Sequence, residues 1–297
     1  MNTYNQLSRL LRNSKEIIFD DNSKIVIMGD CHRGYEIKKD DFLRNRNIFG
    51  AALKYYYDNL YTYIELGDGD ELWEYRSYKD IIDSNKDIFG LLANFYKNNK
   101  FYMLYGNHDI IKKDEDFRKK YMSDYYDNNR KKLVPLFPNI NVLEAIILKQ
   151  KDTNNKFLLT HGHQGDFLND SMWKTARFLV RYIWAPLDGI GINNPMRAAN
   201  SNRKKKKLER VYIDWANNNK QGIITSHIHQ TYFPKIDEAI YFNSGCCVRY
   251  GYITAIEIIN GYIILVKWSI KTRPDRSLFI DKEILNGPVK IDRFFAK

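Results

Sequence analysis

Residues 24–32 read Lys24-Ile25-Val26-Ile27-Met28-Gly29-Asp30-Cys31-His32. Four apolar residues stop at a glycine, and an aspartate and a histidine follow two apart. This is how a buried strand reads when it ends in a polar turn. The pattern returns four times. Tyr61-Thr62-Tyr63-Ile64-Glu65-Leu66 runs into Gly67-Asp68-Gly69-Asp70-Glu71, and Phe101-Tyr102-Met103-Leu104-Tyr105 into Gly106-Asn107-His108-Asp109. Phe157-Leu158-Leu159-Thr160 runs into His161-Gly162-His163, and Gly222-Ile223-Ile224-Thr225-Ser226 into His227-Ile228-His229. All six histidines of the 297-residue chain fall in these turns. Histidines scattered over surface and core would not cluster so, and imidazole is the commonest neutral nitrogen ligand. Their placement therefore points to metal chemistry.

The candidate ligands all follow the C-terminal ends of strands, where α/β sheets bind ligands. The preceding glycines are expected to let the backbone turn sharply. Helices are expected over 40–60 and 80–98, and further strands over 141–148, 239–242, 252–259 and 262–270. Asn260-Gly261 joins the last two as a two-residue hairpin turn. Between His163 and Gly222 no strand pattern occurs. Residues 172–184 read as an amphipathic helix, with Trp173, Ala176, Val180, Ile183 and Trp184 on one face and Lys174, Arg177 and Arg181 on another. The run Arg203-Lys204-Lys205-Lys206-Lys207 opens a second helix to about residue 217. The whole chain, 1–297, is expected to form one domain, with 166–220 a helical insertion capping the site.

Composition excludes several classes. Hydrophobic residues at 44% and charged residues at 28% describe a globular chain, not a disordered one. No apolar run approaches the roughly 18 residues of a membrane span. The first residues lack a basic segment followed by an apolar one, so no signal peptide is expected. Three cysteines, two of them adjacent, make no disulfide framework, and a cytoplasmic location is expected. The net charge of +11 fits an anionic partner, or equally a Lys- and Asn-rich composition of the kind AT-rich coding DNA produces.

By type, Asp30, His32, Asp68, Asn107, His161, His227 and His229 offer two carboxylates, one amide oxygen and four imidazoles. Seven ligands are too many for one tetrahedral zinc and suit two adjacent ions of higher coordination with one carboxylate bridging. Mixed oxygen and nitrogen donors favour manganese, with iron or zinc as alternatives, over calcium or magnesium. Such a pair clamps a phosphoryl group and acidifies a bridging water to hydroxide. Two divalent ions less two carboxylates and one hydroxide leave a net positive charge that attracts phosphate.

The ordered set Asp-x-His, Gly-Asp-x-x-Glu, Gly-Asn-His-Asp, His-Gly-His and His-x-His resembles the calcineurin-like metallophosphoesterase superfamily over residues 24 to about 250. The resemblance implies an α/β fold, a four-layer αββα sandwich of two mixed sheets flanked by helices. It implies that Asp30, His32 and His229 hold one metal, that Asn107, His161 and His227 hold the other, and that Asp68 bridges. It also implies that His108, held by Asp109, is the general acid for the leaving oxygen. Adjacent residues point apart, so His108 is expected to face substrate where Asn107 faces metal. His163 is expected nearby, as a phosphate contact or a support to a ligand.

Gly67-Asp68-Gly69-Asp70-Glu71-Leu72-Trp73 resembles the Gly-Asp-x-x-Glu-x-Trp version of the UDP-2,3-diacylglucosamine pyrophosphohydrolase branch, which also carries a helical cap. That branch has arginine where this chain has His108. Arg33, beside His32, and the cap residues Arg177 and Arg181 are the candidate phosphate contacts, since guanidinium fits phosphate bidentately. Asp70 and Glu71 read as supporting acids, and Cys31 points away from the site. The reading is a metal-dependent phosphohydrolase acting on a phosphomonoester or pyrophosphate, small or lipid- or nucleotide-linked, with a membrane surface as a second anionic partner for the cap. The competing enzyme reading is a phosphodiesterase or nuclease, and a scaffold that has lost catalysis would lack several ligands.

Overall fold

The computed structural model describes residues 3–35, 40–127, 131–164, 173–184 and 202–296. In chain order the strands are β1 (Lys15–Phe19), β2 (Lys24–Met28), β3 (Thr62–Leu66), β4 (Phe101–Leu104), β5 (Asp124–Asp127), β6 (Lys132–Pro135), β7 (Val142–Leu143) and β8 (Ala145–Gln150). There follow β9 (Lys156–Thr160), β10 (Gly222–Thr225), β11 (Thr231–Tyr232), β12 (Tyr241–Ser244), β13 (Tyr252–Ile259), β14 (Tyr262–Thr272) and β15 (Leu278–Lys290). One sheet runs β15-β14-β13-β2-β3-β4-β7, the other β1-β8-β9-β10-β12-β11, and β5 and β6 form a separate pair. Both large sheets are mixed. The strands β2, β3, β4 and β7 are parallel neighbours, while β13 runs antiparallel to β2.

The alternation of side chains along each strand builds the layers. From β2, Ile25 and Ile27 face inward, packing with Ile64, Leu66 and Leu104 against Ile146, Leu148, Phe157, Leu159, Ile224 and Phe242 of the other sheet. Val26 and Met28 face outward, onto Phe49, Leu53, Leu92 and Phe95 of the helices Arg46–Asp58 and Lys86–Lys97. On the far side, Ile147, Leu158, Ile223 and Tyr241 pack on Leu7 and Leu10 of the helix Thr3–Asn13 and on Tyr212, Trp215 and Ala216 of the helix Asn202–Asn219. The chain is an α/β protein of four layers, helix–sheet–sheet–helix.

Several expected elements differ in extent. The 40–60 helix begins only at Arg46, because residues 40–45 turn about the Asp40 carboxylate, which accepts from the backbone N–H of Phe42 and Leu43. The 80–98 helix divides into Tyr78–Ser84 and Lys86–Lys97 at buried Asn85, whose amide donates to the Gly34 and Ile81 carbonyls. The strand expected over 239–242 lies at 241–244. The 141–148 strand is two strands in two different sheets, divided at Glu144. The Asn260-Gly261 hairpin turn is present, both residues at positive φ (53° and 74°).

The expected cap also divides. Residues 173–184 are helical, and Arg181 fastens them beside the Gly67–Glu71 turn through the carbonyls of Leu72, Trp73 and Tyr75. Residues 202–219 are helical too, but Tyr212, Trp215 and Ala216 bury this helix as part of the outer layer on the six-stranded sheet, not as a cap. The side chains of Trp173, Lys174, Ala176, Ile183, Trp184, Arg203 and Lys204, and all of 185–201, lie outside the described residues.

Candidate metal centre

The five motif turns converge from the C-terminal ends of β2, β3 and β4 in one sheet and β9 and β10 in the other. The first two turns are zipped together: Asp30 N–H donates to Gly67 O at 3.1 Å, His32 N–H to Asp68 O at 2.9 Å and Arg33 N–H to Gly69 O at 3.0 Å. The sharp backbone is carried by Gly67 (φ 83°), as expected, and by the candidate ligands themselves. Asp30, His32, Asp68, His227 and His229 have φ of 51°, 48°, 49°, 63° and 55°. Asp and His are among the side chains that visit this left-handed region most readily. Gly106, contrary to expectation, is needed for space: a Cβ there would stand 2.1 Å from Asp68 Oδ1.

Three groups of donors emerge among the described residues: His32, Glu71 and His108 form one, and two triads form the others. Asp30, His32 and His229 gather in one triad, and Asp68, His161 and His227 in the other, their donor atoms within 4.8 Å of one another. His229 Nε2 lies 3.2 Å and His32 Nε2 3.6 Å from Asp30 Oδ1. His161 Nε2 lies 3.1 Å from Asp68 Oδ2, which is 3.8 Å from His32 Nε2 and so stands between the triads. Two donors bound about 2.1 Å from one ion stand about 3.0–3.4 Å apart. The triads are therefore near the spacing one ion requires.

Four atoms there have no hydrogen-bond partner although buried: Asp30 Oδ1, His32 Nε2, Asn107 Oδ1 and His161 Nε2. Stranding one such atom costs about 1–3 kcal/mol, and three of the four, on Asp30, His32 and His161, belong to the two triads, which fits a bound cation. The opposite atom of three of these side chains is pinned. His161 Nδ1 is 2.9 Å from Leu66 O, which fixes it as the protonated nitrogen and turns Nε2 inward. His32 Nδ1 is 2.9 Å from Glu71 Oε2. Asp30 Oδ2 accepts from the Ser226 hydroxyl and, at 2.7 Å, from His227 N–H. The donor set suits divalent metal ions.

The electrostatics agree. Burial alone would lower the pKa of His161, but the Asp68 and Asp30 carboxylates raise it to about 9. Burial likewise opposes the charge on His229, and Asp30 raises its pKa to about 10. His227 falls to about 3 through burial and the neighbouring His161. The two buried carboxylates thus draw positive charge to themselves. His32, His108 and His229 remain partly exposed, with side chains at 12%, 23% and 23%, and form the open edge of the site.

Asp109, Arg33 and Arg181 depart from expectation, whereas His163 and Cys31 lie where they were expected. Asp109 does not hold His108. It accepts from the backbone N–H of Gly106, Asp68 and Gly69 and from Lys112 Nζ at 2.7 Å, and so fixes the turns beneath the site. The partner of His108 is Glu71, whose Oε2 lies 2.7 Å from Nδ1, while the His108 ring stacks on Trp73 at 4.4 Å. Arg33 is fully buried and bound to Glu65 Oε2 (2.7 Å), Glu65 Oε1 (3.0 Å) and Asp70 Oδ1 (2.6 Å), which leaves it no access to phosphate. Arg181 is spent on backbone carbonyls, and Arg177 is half-buried one turn earlier. His163 is 1% exposed among Tyr105, His161 and His227, and burial followed by the two histidines keeps it neutral. Cys31 is buried in the helix-facing core, clear of the triads. Sequence reasoning passed over Lys112, although it follows Asp109 by three residues, a spacing that brings side chains together on a helical turn.

The calcineurin-like phosphoesterase profile matches residues 23–231, which span all five turns. The chain belongs to that family and is a hydrolase of phosphoester bonds. No curated protein matches it in sequence. Among solved structures it is similar to Vps29 of Chaetomium thermophilum, at 9% identity over 88% of this chain and 96% of that one, TM-score 0.38. It is also similar to the cold-active protein-tyrosine phosphatase of a psychrophilic Shewanella species, at 14% identity over 92% of this chain and 83% of that one, TM-score 0.37.

Proposed function

We propose that the chain hydrolyses a small anionic phosphate monoester or pyrophosphate at a dinuclear centre. The observation that carries this reading is the pair of donor triads, in which Asp30 Oδ1, His32 Nε2 and His161 Nε2 are buried without a hydrogen-bond partner. Asp30, His32 and His229 would hold one ion, Asn107, His161 and His227 the other, with Asp68 between them. Manganese is the first choice for this mixture of oxygen and nitrogen donors, ahead of iron or zinc. Two such ions supply charge for the phosphoryl oxygens and an acidified water as nucleophile.

The chain's own part is orientation and proton transfer. His108 stands on the open edge with Nδ1 fixed by Glu71 and its ring plane set by Trp73. Its other ring nitrogen is left to give a proton to the departing oxygen. Asp109, through the backbone N–H groups it accepts, keeps Asp68 and the His108 turn in register.

Leaving-group dependence tests this scheme. A nitrophenolate departs without a proton, whereas an alkoxide needs one. His108→Ala should lower kcat on alkyl phosphates about 100-fold or more, and on nitrophenyl phosphate by much less. Equal losses on both substrates would remove His108 from the proton-transfer role.

A further inference from the structure

The helices Arg46–Asp58 and Lys86–Lys97 end in the same turn. After the first, Leu60 N–H donates to Tyr57 O at 3.0 Å and Tyr61 N–H to Tyr56 O at 2.9 Å. After the second, Asn99 N–H donates to Tyr96 O and Lys100 N–H to Phe95 O, both at 2.9 Å. The turning residue is left-handed in each, Leu60 at φ 62° and Asn99 at φ 56°. Glycine and asparagine suit that position, and leucine is strained there. The Leu60 side chain is not compensated by the core, since it is 67% exposed. A strained residue kept at the surface points to a role there.

Leu60 stands at the mouth of a cavity of about 440 Å³ between the two sheets. Ile17, Phe19 and Leu148 wall it from the six-stranded sheet, and Ile25, Ile64 and Tyr102 from the seven-stranded one. Thr62, Lys24 and Lys100 place it at the N-terminal ends of β3, β2 and β4, away from the motif turns, so it opens at the opposite pole from the metal centre. Phe19, Ile25, Ile64 and Leu148 are buried, which means the cavity reaches the inter-sheet core. Ile18, like Leu60 exposed, shares the rim. Small-molecule sites are mostly apolar clefts of about 300–1,000 Å³.

The rim is cationic. Lys100 Nζ donates to Leu60 O at 2.6 Å and Lys24 Nζ to Asn59 O at 3.4 Å, so both ammonium groups stand on the Leu60 turn. Lys15 Nζ lies 5.5 Å from the centre of the Tyr102 ring. Among the described residues none of the three lysines is in an ion pair, and no carboxylate lines the cavity. An apolar cleft under unpaired ammonium groups is complementary to an aliphatic chain that ends in an anion. We propose that this cleft binds one long-chain carboxylate, its chain between the sheets and its head group among Lys24, Lys100 and Lys15. The depth of the cavity suits a single chain, not the flat surface of a bilayer.

The test is calorimetric titration of dodecanoate, below its micellar range, into the manganese-loaded chain freed of excess metal. One molecule should bind saturably, with decanoate about tenfold weaker because it buries two fewer methylenes. Dodecanol, which lacks the charge, should also bind more weakly. Lys24→Met and Lys100→Met combined in one chain should weaken dodecanoate about tenfold and leave dodecanol unchanged. Leu60→Asn should weaken both ligands about threefold and raise the melting temperature, since asparagine suits the turn. Nitrophenyl phosphate should not displace dodecanoate. No saturable binding, equal affinity for acid and alcohol, or unchanged affinity in both variants overturns the proposal. Displacement by nitrophenyl phosphate would put the acid at the metal centre and overturn it too, as would binding to phosphatidylglycerol vesicles with none to dodecanoate. A lower melting temperature in Leu60→Asn would make the leucine structural and remove it from the site.

Discussion

The Glu71 carboxylate joins His32 to His108: Oε2 lies 2.9 Å from His32 Nδ1 and 2.7 Å from His108 Nδ1. One side chain thus orients a candidate metal ligand and the candidate acid together. Its carboxyl is held well below the usual range: burial opposes the charge, but the two histidines outweigh it. Glu71→Gln keeps the shape and removes the charge. We expect manganese affinity, measured by calorimetry, to fall about 10- to 100-fold, with kcat reduced as well. Unchanged affinity and rate would mean that each histidine is held by its packing alone.

Metal loading should register as stability. A ligand at 100 times its dissociation constant adds about 2.7 kcal/mol to a protein that binds it only when folded. Adding manganese to chelator-stripped protein should therefore raise the melting temperature by several degrees, and Asp68→Asn should remove most of the gain and most of the turnover. A full shift in Asp68→Asn would show that Asp68 does not lie between the ions.

Arg33 separates two roles by a simple measurement. With Lys112 it balances Glu65, Asp70 and Asp109, all fully buried. Arg33→Met would leave three carboxylates facing one lysine. Breaking a buried pair in this way costs about 3–5 kcal/mol, read as a lower urea midpoint. A phosphate-binding arginine would instead raise KM and leave the midpoint in place.

Asp40 gives a pH dependence that does not involve the metal centre. Burial raises its carboxyl to about 6, against about 3.9 in the unfolded chain. Between these values the folded form keeps a proton that the unfolded form has lost, so stability falls as pH rises from 4 to 6. Above 6 the full cost is present. Asp40→Asn should match the native chain near pH 4 and exceed it at pH 7.5 by about 1 kcal/mol, a figure reduced for partial solvent screening. Parallel stability curves for the two proteins across this range would refute the assignment.

The strands that carry the site were legible because each is a short apolar run halted by a polar turn. Period-two alternation cannot say which sheet a strand joins, so Val142–Leu143 and Ala145–Gln150 read as one. It also fades in edge strands: β1 carries Lys15 and Glu16, and β15 answers Lys267 and Lys271 across the ladder with Glu283. The candidate ligands could be picked out by residue type and spacing, but their supports could not. Asp109 adjoins His108 in sequence and turns away from it, whereas Glu71 arrives from another turn. Arg33 looked available because nothing near it in sequence announces Glu65 and Asp70 as its partners.

The left-handed conformation of five candidate ligands has a consequence for how the chain can change. Positive φ costs a non-glycine residue on the order of 1 kcal/mol, and glycine adopts it freely. Exchanging His229 for glycine would empty a donor position and relax the backbone in one step. The resulting notch would be open to solvent, since the His229 side chain is already 23% exposed. Free imidazole could enter it. The strained turns thus make the outermost donor replaceable by a molecule from solution, and its contribution could be titrated back into the protein.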